Sequence, residues 1–170
     1  MLDTLPDAAR AWLFPLDRTL DAAEADALRD DLAAWLPTWA SHGRPVRAEA
    51  EVLAGRALAV GAVISEADLN AGVSGCGIDA MERAVAAALD RAGVGLAPAL
   101  AVTYRDGDGA WAQAPRPAFR RLARAGGADA ATAVLDATAE TVGALRERGA
   151  ERPAGEAWHG RTFRLAGRGG

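Results

Sequence analysis

In the first hundred residues the spacing of the apolar side chains changes period repeatedly. That order of periods limits the available folds more than any other feature. Residues 10–18 (RAWLFPLDR) carry Trp12, Leu13, Phe14 and Leu16, the pattern of a largely buried strand, and Pro15 predicts an edge or a bulge near its end. Ala25, Leu28, Leu32, Trp35 and Trp39 then recur at three- and four-residue steps, which puts them on one helical face. Asp21 with Glu24 three residues on has the form of a capping box at its start, and Pro37 ends or kinks it. From Val46 to Leu53 the period falls to two, a half-buried strand. Residues 57–64 are apolar on both faces, as a central strand requires.

Asp68 to Gly77 reads as a loop of small residues, with Asp79 and Glu82 repeating the capping pattern. Met81, Val85, Ala88, Leu89 and Ala92 supply the inward stripe of a second helix that Gly93 stops. Leu100 to Tyr104 is a fourth strand, and the Asp106-Gly107-Asp108-Gly109 turn leads to a fifth over 110–114. Strand, helix, strand, strand, helix, strand is the split βαβ order. The expected class is therefore α+β: a ferredoxin-like antiparallel sheet with two helices on one face, an added strand and a C-terminal extension. Beyond Pro117, residues 119–125 suggest a short basic helix. Residues 128–148 fit a strand or a helix, and the reading favoured is a strand followed by a short helix from Thr141.

The length of 170 residues suits a single domain over 1–170, with a core at 10–115 and a basic extension at 116–170 packed on it. Residues 1–115 hold 9 Arg and 17 acids, net −8, whereas 116–170 hold 10 Arg and 6 acids, net +4. Alanine accounts for 44 residues and Leu, Ile, Val and Phe together for 33, so a few large side chains must supply most of the core. Trp12, Trp35 and Trp39 are the obvious contributors.

All 19 basic residues are arginine. Without lysine there is no Schiff-base enzyme, no pyridoxal-phosphate anchor and no nucleotide-binding P-loop. One cysteine makes neither an internal disulfide nor a structural zinc site. Paired histidines and carboxylates at metal-ligand spacing are not recognisable, so no metal and no cofactor are expected. An acidic chain without interleaved aromatics does not suggest nucleic-acid binding through Arg116, Arg120, Arg121 and Arg124. No apolar run reaches the roughly 20 residues of a membrane span and no leader pattern opens the chain, so a cytoplasmic location is expected.

Two patches could carry chemistry. In Ser74-Gly75-Cys76-Gly77-Ile78-Asp79 a cysteine flanked by glycines sits near a helix start. There the dipole favours a thiolate, and bare backbone amides could cradle an anion. The plainer reading is a small residue in a tight turn. In Trp39-Ala40-Ser41-His42-Gly43 the imidazole could serve as a base or simply as a hydrogen-bonding loop residue. The split βαβ order opens both loops, and the Asp106/Asp108 turn, at one end of the sheet. Cys76 and His42 are then the conditional catalytic pair. Trp39, Ser41, Gly43, Ser74, Gly75, Gly77 and Asp79 are the candidate ligand-binding residues. His159, beside Trp158, is as well explained by docking of the tail through the indole.

These patches, with Arg10-Ala-Trp-Leu and Pro153-Ala-Gly-Glu-Ala-Trp158, resemble in order and spacing a family of small uncharacterised bacterial proteins of Bacteroidota and their relatives. Members are often labelled "ABC transporter ATPase", though the position of Gly77 is commonly serine in them. The resemblance spans nearly the whole chain and implies no mechanism. The label fails on its own terms, since an ABC ATPase needs a Walker A lysine, a parallel sheet and more than about 200 residues. The leading expectation is a module that binds a small ligand or a protein partner at the His42/Cys76 end. The alternative is a thiol-dependent enzyme or redox sensor with Cys76 as nucleophile. A transporter-associated accessory role rests on the label alone.

Overall fold

The computed structural model describes residues 1–64 and 72–165, so residues 68–71 of the expected 68–77 loop lie outside it. Strand β1 (Arg10–Pro15) leads to helix α1 (Ala22–Trp35). Asp21 caps that helix through a complete capping box: its carboxylate accepts from the Glu24 amide at 2.8 Å, and Glu24 accepts from the Asp21 amide at 3.0 Å. A 3₁₀ turn over Leu36–Thr38 carries the chain past Pro37 to Trp39. A short hairpin of β2 (Ala40–Ser41) and β3 (Arg44–Pro45) precedes β4 (Arg47–Leu53) and β5 (Ala57–Val63). Helix α2 spans Gly75–Arg91.

The first sheet has the antiparallel order β1-β5-β4. β5 lies in the middle and is buried along its whole length, as an all-apolar run should be. Its alternate residues serve two cores. Leu58, Val60 and Ala62 meet Leu28 and Leu32 of α1 and Met81, Val85 and Leu89 of α2, so both helices lie on one face. Ala57, Ala59 and Val63 face the other way, towards Leu2, Leu5, Leu135, Val142 and Leu145. Gly61 belongs to this second face. A Cβ there would stand 2.6 Å from Leu5 Cδ1 and 2.9 Å from Leu2 Cδ1, so the N-terminal segment packs directly onto the bare strand. Arg146 holds that segment down, donating to the carbonyls of Leu2 at 2.6 Å and Leu5 at 2.9 Å and pairing with Asp7 at 2.6 Å.

The expected four-stranded sheet does not close. β6 (Ala101–Arg105) does not add beside β1; it enters a second antiparallel sheet of order β7-β6-β8-β9. β7 is Trp111–Pro115, β8 is Ala133–Leu135 and β9 is Glu151–Pro153. The outer edge of β1 is instead capped at its two ends: Ala11 donates to Glu140, while Pro15 and Asp17 bond with Ala97 and Gly95. Those short segments fill the place a fourth strand would need. The boundary drawn at residue 115 consequently runs through the second sheet, whose strands come from both sides of it.

Helices α3 (Arg116–Arg124) and α5 (Trp158–Phe163) bury Phe119 and Phe163 against Val102 and Val134 of that sheet. α4 (Val142–Arg148) follows β8 with Thr141 as its cap, the strand-then-helix reading of 128–148. The simple picture of a basic tail on an acidic body holds for Arg146 and Asp7. Elsewhere the polarity differs: Arg105 pairs with Glu151, and the carboxylates beside Arg152 are Asp136 and Glu156, from its own part of the chain. Among the described residues no helix is long and apolar enough to cross a membrane.

Candidate functional site

The two loops singled out in the sequence do meet. Ser41 is buried at the end of β2, and its hydroxyl accepts from the Ser74 amide and donates to the Ser74 hydroxyl, both at 2.9 Å. Ser74 in turn caps α2 by accepting from the Gly77 amide at 3.2 Å, and the indole N–H of Trp39 donates to the Gly77 carbonyl at 2.9 Å. The helix therefore starts at Ser74 rather than near Asp79, because serine already offers the acceptor that the first turn needs. Asp79 becomes an exposed residue inside the helix, and Gly75 and Cys76 occupy its first turn. Gly77 is buried against Ser41 Cβ and Oγ, each 3.4 Å from where its own Cβ would stand.

His42 and Gly43 form the tip of the β2–β3 hairpin, at φ +50° and +72°, the left-handed pair that a tight two-residue turn demands. Both His42 and Cys76 are exposed, and among the described residues no hydrogen bond joins them. The polar groups at this end are spent on one another: Trp39, Ser41, Ser74 and Gly77 fasten the hairpin to α2. The Asp106 turn is not part of it. Asp106 accepts from the amides of Asp108 and Ala110, closing an ordinary hairpin. Trp111, just beyond, donates to Ala54 at the β4–β5 turn, the far end of the first sheet from Val46 and His42.

A second site lies between the end of β8, β9 and α5. It is a cleft of about 360 Å³ lined by Asp136, Arg148, Arg152, Trp158 and Arg161 among others. Asp136 is buried, with one carboxylate oxygen accepting from the amide of Thr138 at 3.2 Å and from its hydroxyl at 2.7 Å. Arg152 has a side chain only 13 % exposed, yet its carboxylate neighbours Asp136 and Glu156 both stand off at 3.8 Å. Among the described residues its side chain makes one direct hydrogen bond, from Nη2 to the Glu156 carbonyl at 2.8 Å, and its buried Nε has no partner. Behind the cleft Arg116 lies over the Trp158 ring at 4.7 Å, and its Nε is likewise buried and unpartnered. His159 stacks on Trp158 at 3.8 Å, is 1 % exposed, and has an unpartnered Nδ1.

Four buried side-chain nitrogens lack a partner among the described residues, and three of them gather here; the fourth is Arg56 Nε, elsewhere in the fold. A buried polar atom left without a partner costs about 1–3 kcal/mol, which makes these side chains the ones whose bonding an added molecule or water would complete. Sequence reasoning noticed Trp158, His159 and Arg116 separately. The surplus of arginine in 116–170 was the available signal, but the convergence depends on the β8–β9 pairing and α5, which periodicity did not reveal.

Burial pushes the His159 imidazole down to about 4; the nearby Asp136 opposes this and Arg116 adds to it. Because the folded value lies below the unfolded value near 6.5, the contribution is complete above pH 6.5. It is lost as the pH falls towards 4, where the unfolded chain takes up the proton more readily. The wild-type protein should lose on the order of 2 kcal/mol more stability between pH 7 and pH 4 than His159→Leu, allowing for solvent screening. Urea unfolding at the two pH values measures this. Equal losses would mean that the ring titrates normally in the fold.

No family model, no curated protein and no solved structure matches this chain.

Proposed function

We propose that this protein is a non-covalent binding module that holds a small anionic ligand in the cleft lined by Arg148, Arg152 and Arg161. The observation that carries this reading is the Arg152 guanidinium, mostly buried but with its Nε unpartnered and both carboxylates beyond hydrogen-bonding distance. A guanidinium so placed is desolvated and pre-oriented, the condition under which an added anion gains most. The His42/Cys76 end supports the reading less well, because the polar groups around it already satisfy one another. Thiol chemistry at Cys76 would need a base, and His42 makes no hydrogen bond to it.

A relationship to the small bacterial family is proposed on the patches at Arg10, His42, Cys76 and Trp158. Its ATPase label gains nothing from antiparallel sheets and a lysine-free sequence. A thermal-unfolding titration with simple anions tests the binding reading. At a hundredfold excess over Kd, a ligand bound only by the folded state adds about 2.7 kcal/mol, a rise in Tm of about 5–10 °C. Arg152→Met should abolish that rise. A Tm indifferent to anions, or equally raised in the variant, would count against the cleft.

A further inference from the structure

We infer that the ligand class of this cleft is a small monocarboxylate, held through both oxygens by the Arg152 guanidinium. The inference rests on the binding reading above and narrows it. The charges around the Arg152 guanidinium decide the ligand class. Arg148, Arg152 and Arg161 line the cleft together with Asp136 and Glu156, leaving a surplus of one positive charge. Asp136 is fixed by the two bonds from Thr138, and its second oxygen lies 3.8 Å from Arg152 Nη1. Glu156 approaches the same guanidinium at 3.8 Å from another side.

A phosphate dianion seated on Arg152 would face both carboxylates at close range in a partly buried site, where repulsion is poorly screened. A carboxylate brings a single charge, which matches the surplus. Its two coplanar oxygens also fit the fork of an arginine better than they fit a point charge. The volume, about 360 Å³, is at the small end for ligand pockets, and Gly155 and Ala157 contribute only short walls. A small organic acid fits that space.

The test is calorimetric titration of the full chain with propionate and with inorganic phosphate at pH 7 and constant ionic strength. Propionate should bind saturably, with phosphate about tenfold weaker. Arg152→Lys, which keeps the charge and loses the fork, should weaken propionate by about tenfold. Glu156→Gln, at an exposed rim position, should narrow the gap between the two anions by about two- to threefold. Phosphate equal to or tighter than propionate would overturn the carboxylate assignment while leaving the anion site standing. So would an Arg152→Lys variant that is folded and binds propionate unchanged. Heat from neither anion would remove the parent reading along with this one.

Discussion

Trp39→Ala is expected to cost about 3–5 kcal/mol, among the largest single losses available to this fold. The indole is 2 % exposed and packs at 5.6 Å from the Trp35 ring and 6.2 Å from the Trp12 ring. Removing it deletes the centre of a three-indole cluster and leaves a cavity between β1, α1 and α2. It also strips the Gly77 carbonyl of its donor, so the hairpin carrying Ser41 and His42 keeps only the Ser41–Ser74 bonds as its anchor on α2. Trp39→Phe separates the two effects, because it refills most of the space but leaves that carbonyl open, at about 1–3 kcal/mol. Urea denaturation of both variants reads the difference. For a domain whose total stability is roughly 5–15 kcal/mol, the alanine variant should be marginal at 37 °C. A loss below about 1 kcal/mol would contradict the seating of this side chain in the core.

Gly160→Ala is the second, and it joins stability to the cleft. An added Cβ would lie 2.9 Å from both Cα and O of Gly155 and 3.0 Å from the Ala154 carbonyl. All three are backbone atoms and none can rotate away. The amide of Gly160 also donates to Ala154 at 2.7 Å, so α5 is fixed at the closest possible approach to the turn after β9. Methyl insertion must push the helix outward, carrying Trp158 and His159 with it and moving the cleft wall at Gly155. A destabilisation of about 2–4 kcal/mol is expected, with loss of anion-dependent stabilisation. Gly75→Ala is the matched control: nothing lies within 4 Å of its Cβ position, and its stability should stay within about 0.5 kcal/mol of wild type. Retained binding in Gly160→Ala would show that α5 does not shape the site.

What the sequence made legible was local. The Asp21–Glu24 box, the all-apolar run of β5, the alternating face of β4 and the helix start at Thr141 depend on residues within a few positions of one another. Each stands in the structure where its pattern put it. The joining of the 39–43 loop to the 74–77 turn also followed, because the order β1-β5-β4 brings those loops together. What failed was non-local. Nothing in residues 100–104 says that the strand pairs with Val134 rather than adding beside β1, since its alternation suits either edge. The start of α2 was misplaced because Asp79–Glu82 imitates a capping box, while the true cap, Ser74, works with a partner 33 residues away. The cleft was illegible for a similar reason: Asp136 follows β8 while Arg152 and Trp158 belong to β9 and α5, and only their packing forms it.

The most direct measurement is nitrogen-15 NMR of the arginine Nε–H groups during an anion titration. The Arg152 Nε–H should give a signal protected from solvent exchange, and it should shift saturably, with those of Arg148 and Arg161, at one common Kd as the anion enters. Signals from exposed arginines such as Arg44 should drift only with ionic strength. If Arg152 stays still while the anion titrates arginines outside the cleft, or if no arginine saturates, the cleft is not a binding site.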